Sequence, residues 1–151
     1  MIRPIDPSFA VAPQIESDDV AEIAGAGYVM IINNRPEDEE HNQPAGAAIE
    51  AAAAAIGVSY VAIPITHAGF SHPQLDAMAA ALAEASGPVL AYCRSGTRSC
   101  NLWALAMAKG GADPDMLEEK AGQAGYDLSG IRPTLDALSS GAAGGARSGA
   151  A

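Results

Sequence analysis

Four short apolar runs, separated by segments of helical length, set the limits on what this chain can become. Phe9 to Ile15 alternates weakly, as a strand does. Tyr28-Val-Met-Ile-Ile32 is continuously apolar. Ser59 to Ile65 is a third run, and Val89 to Tyr92 closes the series. A continuous apolar strand suits a sheet covered on both faces. The segments between read as helices. Ser17 is placed to cap one over Asp18 to Ala26, with acids in its first turn where the dipole favours them. An alanine-rich helix opens at Pro44 and runs to about Ile56, with Gly57 closing it. Ser71 and Gln74 have capping-box spacing, with Pro73 just inside, and Leu75, Met78, Ala79 and Leu82 then fall on one helical face. Further helices are expected from about Ser99 to Ala108 (Leu102, Leu105 and Ala106 on one side), from Asp113-Pro114 to about Ala124, and near Pro133 to Leu138. Strands alternating with helices predict an α/β class with a mostly parallel central sheet flanked by helices.

The chain has 151 residues, about one domain by length. The expected domain is 1–138, followed by a flexible Gly/Ala/Ser tail over 139–151 that lacks the apolar surface to order itself. Hydrophobic residues make up 49% but aromatics only 5%. Small-residue helices packed closely on the sheet are the expected core. Eight basic against eighteen acidic residues leave a net charge of −10, which argues against nucleic acid or an anionic membrane as partner. No apolar run approaches a membrane span, and the first residues lack a signal-peptide pattern. Two cysteines seven apart cannot make a secreted disulfide framework. A soluble, cytoplasmic domain is therefore expected.

The segment richest in chemistry is Val89-Leu-Ala-Tyr-Cys-Arg-Ser-Gly-Thr-Arg-Ser99. A buried strand ending at Cys93, a short loop with one glycine and a helix start would put the sulfur at the carboxyl edge of the sheet, where α/β folds place ligands. Loop amides turned toward the sulfur, the helix N-terminus, and Arg94 and Arg98 beside it all favour thiolate, so a depressed pKa is expected for Cys93. A thiolate is the competent nucleophile at neutral pH. Gly96 lets the backbone approach a bound group, and Ser95, Thr97 and Ser99 complete the loop. Arg35, at the end of another buried strand, is expected at the same edge. The pocket is thus positive on an acidic molecule and suits a small anion.

These residues resemble a known family. The stretch from Tyr60-Val-Ala-Ile-Pro-Ile65 through Ser99 is similar to the cysteine-dependent dual-specificity phosphatase fold. More closely, Ile31-Ile-Asn-Asn-Arg-Pro36 with its acidic loop, together with the Cys93 loop, resembles the phosphatase-like domain of β-lactamase-hydrolase-like proteins, over roughly residues 5 to 138. Members of that family carry a sulfurtransferase label and occur alone or fused to persulfide-handling enzymes. Two departures from the phosphatase pattern stand out. Phosphatases of this fold place arginine after Cys plus five residues, a position held here by Ser99, while Arg98 makes a ring one residue shorter, like the loop of rhodanese-type sulfurtransferases. They also carry an aspartic general acid in the loop after the Ile-Pro-Ile strand. Here Thr66-His-Ala-Gly-Phe70 has no carboxylate, and Asp76 falls inside a helix. His67 stands about where the acid is expected and reads either as a substitute acid or as a solvated loop residue.

The resemblance and the residues together favour a sulfurtransferase. Cys93 and Arg98 are its catalytic pair, and Arg94, Ser95, Gly96, Thr97, Ser99, Arg35 and His67 bind substrate. Its partners would be thiosulfate or a persulfide and then a thiol acceptor or a persulfide-handling enzyme. The alternatives are a phosphatase acting on a phosphate ester through a phosphocysteine, and a non-catalytic anion-binding module. No cofactor is expected, and three scattered histidines suggest no metal site. Cys100 is expected to pack beneath the loop, since a resolving role would need backbone movement. Glu37 to Glu40 reads as a solvated loop that would repel the wrong anions at the rim.

Overall fold

Val89-Leu-Ala-Tyr92 forms the central strand, and its four buried side chains alternate between two separate cores. The computed structural model describes residues 1–150, with side chains described through Ala142. The strands are β1 (Arg3–Asp6), β2 (Phe9–Ala12), β3 (Met30–Asn33), β4 (Ser59–Ala62) and β5 (Val89–Tyr92). They lie in the order β1-β2-β5-β3-β4. β5 pairs in parallel with both β2 and β3, and β4 runs parallel on the outer side of β3. The α/β class and the mostly parallel sheet are as expected. The fifth strand was not anticipated. β1 pairs antiparallel with β2 at the sheet edge and has a register irregularity between Pro4 and Asp6. Its exposed Arg3 and Pro4 blunt the apolar period, as edge strands often do.

Two of the predicted strands, Phe9 to Ile15 and Ser59 to Ile65, overrun the observed β2 and β4, which end at Ala12 and Ala62, whereas Val89 to Tyr92 has the predicted bounds. Ile15, Ile63 and Ile65 are buried but follow the ladders. The Ile63 and Ile65 amides donate to the Asn33 and Asn34 carbonyls, so that connection keeps its backbone satisfied.

The helices are α1 (Val20–Gly25), α2 (Gly46–Ala55), α3 (His72–Glu84), α4 (Thr97–Lys109), α5 (Pro114–Gln123) and α6 (Arg132–Ala150). Ser17 is not the cap of the first. It sits inside a 3-10 turn, Ser17–Asp19, whose capping box is made by Glu16 and Asp19. The Ser71/Gln74 capping box opens α3 as predicted. In that helix Ala81 joins Leu75 and Met78 in the core, while Ala79 is exposed and Leu82 half-buried. Asp113 accepts from the Asp115 amide at the head of α5. The helix predicted to stop at Leu138 continues to Ala150, and Ser139 Oγ donates to the Ala112 carbonyl at 3.0 Å. The rest of the expected tail, from 143, lies outside the described side chains.

One core joins β2, β3 and β5 to α3, α4, α5 and α6. The other joins the opposite sheet face to α1 and α2. Helix α4 is buried almost all round, with Cys100, Leu102, Trp103, Ala104, Leu105, Ala106 and Ala108 enclosed, rather than on one stripe. It is held between the sheet and α3, α5 and α6. Trp103 stacks on Phe9 of β2, with ring centroids 5.7 Å apart. Central burial of α4 fixes its N-terminus against the end of β5.

Candidate functional site

Register assembles the site. Ala12, Asn33 and Tyr92 lie side by side across β2, β3 and β5, so the three strands end at one level. The residues that follow each strand therefore meet: Gln14 after β2, Asn34 and Arg35 after β3, and Cys93 and Arg94 after β5. Backbone bonds tie them together. The Gln14 amide donates to the Arg94 carbonyl and the Asn34 amide to the Tyr92 carbonyl.

The chain turns sharply after Cys93. Gly96 is the N-cap of α4 and takes a left-handed conformation, with φ 94°. A Cβ there would lie 2.2 Å from the Tyr126 hydroxyl, so only glycine fits. That hydroxyl donates to the Ser95 carbonyl at 3.1 Å and ties the loop down from outside. The turn aims the Gly96 amide at the Cys93 sulfur, N to Sγ 3.1 Å. The predicted helix start at Ser99 moves back to Thr97, which brings the dipole closer to the sulfur. Cys93 itself is recessed, with 1% of the residue exposed.

The other expected site residues separate. Arg98 turns into the site: Nη1 donates to the Ile65 carbonyl at 2.8 Å, and Glu39 grips the guanidinium, Nη1 to Oε2 2.7 Å and Nη2 to Oε1 2.8 Å. Arg35 reaches the same edge, as predicted, but buried. Its Nε donates to Glu39 Oε1 at 2.9 Å and its Nη1 to Gln14 Oε1 at 3.0 Å. Arg94 does not flank the sulfur. Its side chain is 69% exposed and pairs with Glu40 at 2.7 Å. Ser95 and Thr97 bond to each other through their hydroxyls, Ser95 Oγ donating at 3.1 Å. Ser99 is fully buried in the first turn of α4 with no partner for its hydroxyl, so it does not face the cleft. Thr66 and His67 stand on the wall of an open cleft of about 560 Å3, with Arg35, Pro36, Glu39, Glu40, Arg94 and Arg98.

The acidic run is the main correction to the sequence reading. Glu39 is no solvated rim residue, since only 18% of its side chain is exposed. It bridges the two arginines of the site, and the Arg98 hydrogen bonds, with those of Arg35, pull its pKa down to about 2 despite the opposing effect of burial. A carboxylate held so low stays ionised at neutral pH and cannot donate a proton to a leaving group. The expected absence of a carboxylic acid in the Thr66–Phe70 loop thus has no substitute in Glu39, although a carboxylate is present. Asp76 lies in α3 and pairs with Lys109. The local sequence signal for Glu39 is its place four residues after Arg35, but the two pair across an irregular turn and not along a helix, so helical charge spacing does not account for it. Gln14 and the Ile65 carbonyl had no such signal.

Cys100 packs beneath the loop as expected and is fully buried. Burial, with the nearby Cys93 charge, pushes its thiol up to about 12. Among the described residues no group of three or more His, Cys, Asp or Glu is arranged to hold a metal ion, and no helix is long and apolar enough to cross a membrane.

Comparison with known proteins places this arrangement. Residues 1–110 match the family described as "Beta-lactamase hydrolase-like protein, phosphatase-like domain". A beta-lactamase hydrolase-like protein of Xylella fastidiosa is 35% identical over 125 residues, covering 82% of this chain but 29% of that protein. The chain thus spans under a third of that curated relative. The crystal structure of a candidate phosphatase from Neisseria meningitidis superposes with TM-score 0.79 at 33% identity, covering 91% of this chain and 97% of the other. P. aeruginosa TpbA, solved in complex with phosphotyrosine, shares the fold at TM-score 0.58 and 19% identity, covering 94% of this chain and 90% of its own.

Proposed function

The chain belongs to the phosphatase-like domain family of beta-lactamase hydrolase-like proteins, and on that premise we propose that it is a cysteine-dependent phosphohydrolase acting on aryl phosphate monoesters. The observation that carries this reading is the Gly96 amide turned onto Cys93 Sγ at the head of α4, with the Arg98 guanidinium close enough for the Cys93 sulfur to help hold it charged. An inward amide, a helix N-terminus and a guanidinium are what a thiolate and a phosphoryl oxyanion both need. The candidate phosphatase of N. meningitidis, similar along nearly its whole length, supports the same chemistry. So does the bound phosphotyrosine of TpbA, which shares the fold.

In this reaction the Cys93 thiolate attacks phosphorus and forms an S–P bond as the P–O bond to the leaving group breaks. Arg98 and the loop amides take the charge that builds on the phosphoryl oxygens. Water then attacks the phosphocysteine, releasing phosphate and restoring the thiolate. With Glu39 ionised and no carboxyl group in the Thr66–Phe70 loop, little proton donation reaches the departing oxygen. Good leaving groups such as phenolates are therefore preferred over alkoxides. His67, on the cleft wall, is the histidine placed to assist.

One observation favours sulfur transfer as a second reading. Four residues separate Cys93 from Arg98, a ring one residue tighter than the phosphatase pattern. In that chemistry Cys93 attacks the outer sulfur of thiosulfate, the S–S bond breaks, sulfite leaves with the electron pair, and the persulfide passes to a thiol acceptor. No proton donor is required. Intact-mass analysis after parallel exposure to an aryl phosphate and to thiosulfate separates the two. A phosphoryl adduct with vanadate-sensitive turnover supports the phosphohydrolase. A one-sulfur adduct without turnover replaces it with the transferase, and the absence of both leaves an anion-binding module.

A further inference from the structure

The peptide between Ser95 and Gly96 carries the amide that meets the Cys93 sulfur, at 3.1 Å from N to Sγ. In a trans peptide the C=O and N–H point in opposite directions. This amide therefore faces the sulfur only while the Ser95 carbonyl faces away from it. Glycine itself does not enforce that choice. Gly96 holds a φ of 94°, and turning the whole peptide over would carry its φ to the negative side, which glycine adopts about as readily. The next peptide is fixed by the helix, since the Gly96 carbonyl accepts from the Cys100 amide at 2.9 Å. What holds the Ser95 carbonyl outward is the Tyr126 hydroxyl, which donates to it at 3.1 Å.

We infer that Tyr126 is a positioning residue, whose hydroxyl pins the Ser95 carbonyl outward and thereby keeps the Gly96 amide on the Cys93 sulfur. The inference rests on the reading of the Cys93 loop as a site of anion chemistry and deepens it by naming what selects the orientation of the loop. Tyr126 is itself held by parts of the molecule outside the cleft. Helix α5 ends in a Schellman turn, with the Tyr126 amide on the Ala121 carbonyl at 2.9 Å and the Gly125 amide on the Gly122 carbonyl at 3.0 Å. The ring joins the core, with 9% of the residue exposed. The Arg3 guanidinium of β1 stands over it, 5.5 Å from the centroid. Lys120 of α5 pairs with Asp6, the last residue of β1, at 3.1 Å and ties the same two elements together. Burial raises the phenol above its ordinary pKa, so it stays a donor across neutral pH. None of these residues lines the cleft, and Tyr126 lies beyond the 1–110 stretch that matches the family.

Tyr126→Phe in the full chain tests this without a substrate. It removes the hydroxyl and keeps the ring, and Ser95 is exposed, so water replaces the lost donor and the variant folds. The readout is the rate of iodoacetamide alkylation at Cys93 as a function of pH, located by peptide mapping. Besides Tyr126, the groups whose charge is coupled to the Cys93 sulfur are Arg98 and Cys100, and both are the same in the two proteins. The midpoint of the profile is expected to rise by about one pH unit in the variant, so that alkylation below it slows about tenfold, the worth of one hydrogen bond to a charged group. A purely structural role would lower the thermal midpoint and leave the profile of the folded protein where it was. A second measurement reads the amide directly. In nitrogen-labelled wild type the Gly96 amide resonance should move as the sulfur ionises, and in Tyr126→Phe that response should shrink. An unchanged alkylation midpoint in Tyr126→Phe, or a Gly96 amide whose response to the sulfur is the same in both proteins, overturns the inference. Absence of phosphatase turnover with the profile shifted as expected would strike the phosphohydrolase reading and leave the role of Tyr126 standing.

Discussion

The two ends of strand β5 open onto hollows of similar size and opposite chemistry. At the carboxyl end the cleft of about 560 Å3 is walled by Arg35, Glu39, Glu40, Arg94 and Arg98. At the amino end a groove of about 470 Å3 is walled by Phe9, Leu82, Pro88, Val89, Trp103 and Met107. In a parallel sheet the carboxyl ends of strands lead into helix N-termini, whose free amides attract anions. The amino ends receive helix C-termini, whose carbonyls repel them. Concavity alone does not mark a site, because the direction of the backbone dipoles decides which hollow an anion can use. The apolar end acts on the other indirectly: stacked Phe9 and Trp103 hold α4 in place, and α4 sets the angle of the Cys93 loop.

Substitutions at each end sharpen that contrast. The largest effect is expected from Cys93→Ser, which abolishes both turnover and the trapped adduct while thermal melting stays near wild type; a persisting adduct would move the nucleophile elsewhere. Trp103→Ala is expected to cost about 3–5 kcal/mol in urea unfolding, with KM unchanged in the folded fraction. A large KM change at unchanged stability would break the separation of the two ends. Arg98→Ala is expected to slow turnover by about 10²–10³-fold, the range for losing an oxyanion donor. Gly96→Ala should destabilise by about 1–3 kcal/mol, because the residue must keep a left-handed φ.

The smallest effect is on pH. Glu39 has a folded pKa of about 2 against an unfolded value near 4.5. Its contribution is therefore fully present above the unfolded value and is lost as pH falls toward 2. Thermal midpoints between pH 5 and 2 should drop more steeply in wild type than in Glu39→Gln, and parallel curves would remove the ion pair from the account. In the same native protein iodoacetamide near neutral pH should label Cys93 and spare Cys100, whose thiol is pushed up to about 12 by burial.

Much of this molecule can be read from local pattern. Apolar runs at 28–32 and 89–92, the Ser71/Gln74 box and the Asp113-Pro114 cap depend on neighbours a few residues away, so periodicity and capping chemistry reveal them. The strand–loop–helix around Cys93 is legible for the same reason, since a single glycine between an apolar strand and a helix start allows few paths. Edge strand β1 was hidden because a four-residue polar edge leaves no period, and the cap at Glu16 because an acidic side chain can fill the role expected of Ser17.

The charge pairing could not be read that way. Glu39 meets Arg98 across 59 residues, and Gln14 meets Arg35 across 21. Local sequence showed an acidic run and several arginines. Only the side-by-side endings of β2, β3 and β5 decided that one glutamate would bridge two of those arginines while Arg94 turned outward to Glu40. Helix, strand and turn preferences are short-range energies written into neighbouring residues, whereas the partner of a buried charge is chosen by whichever distant groups the packed sheet brings within hydrogen-bond reach.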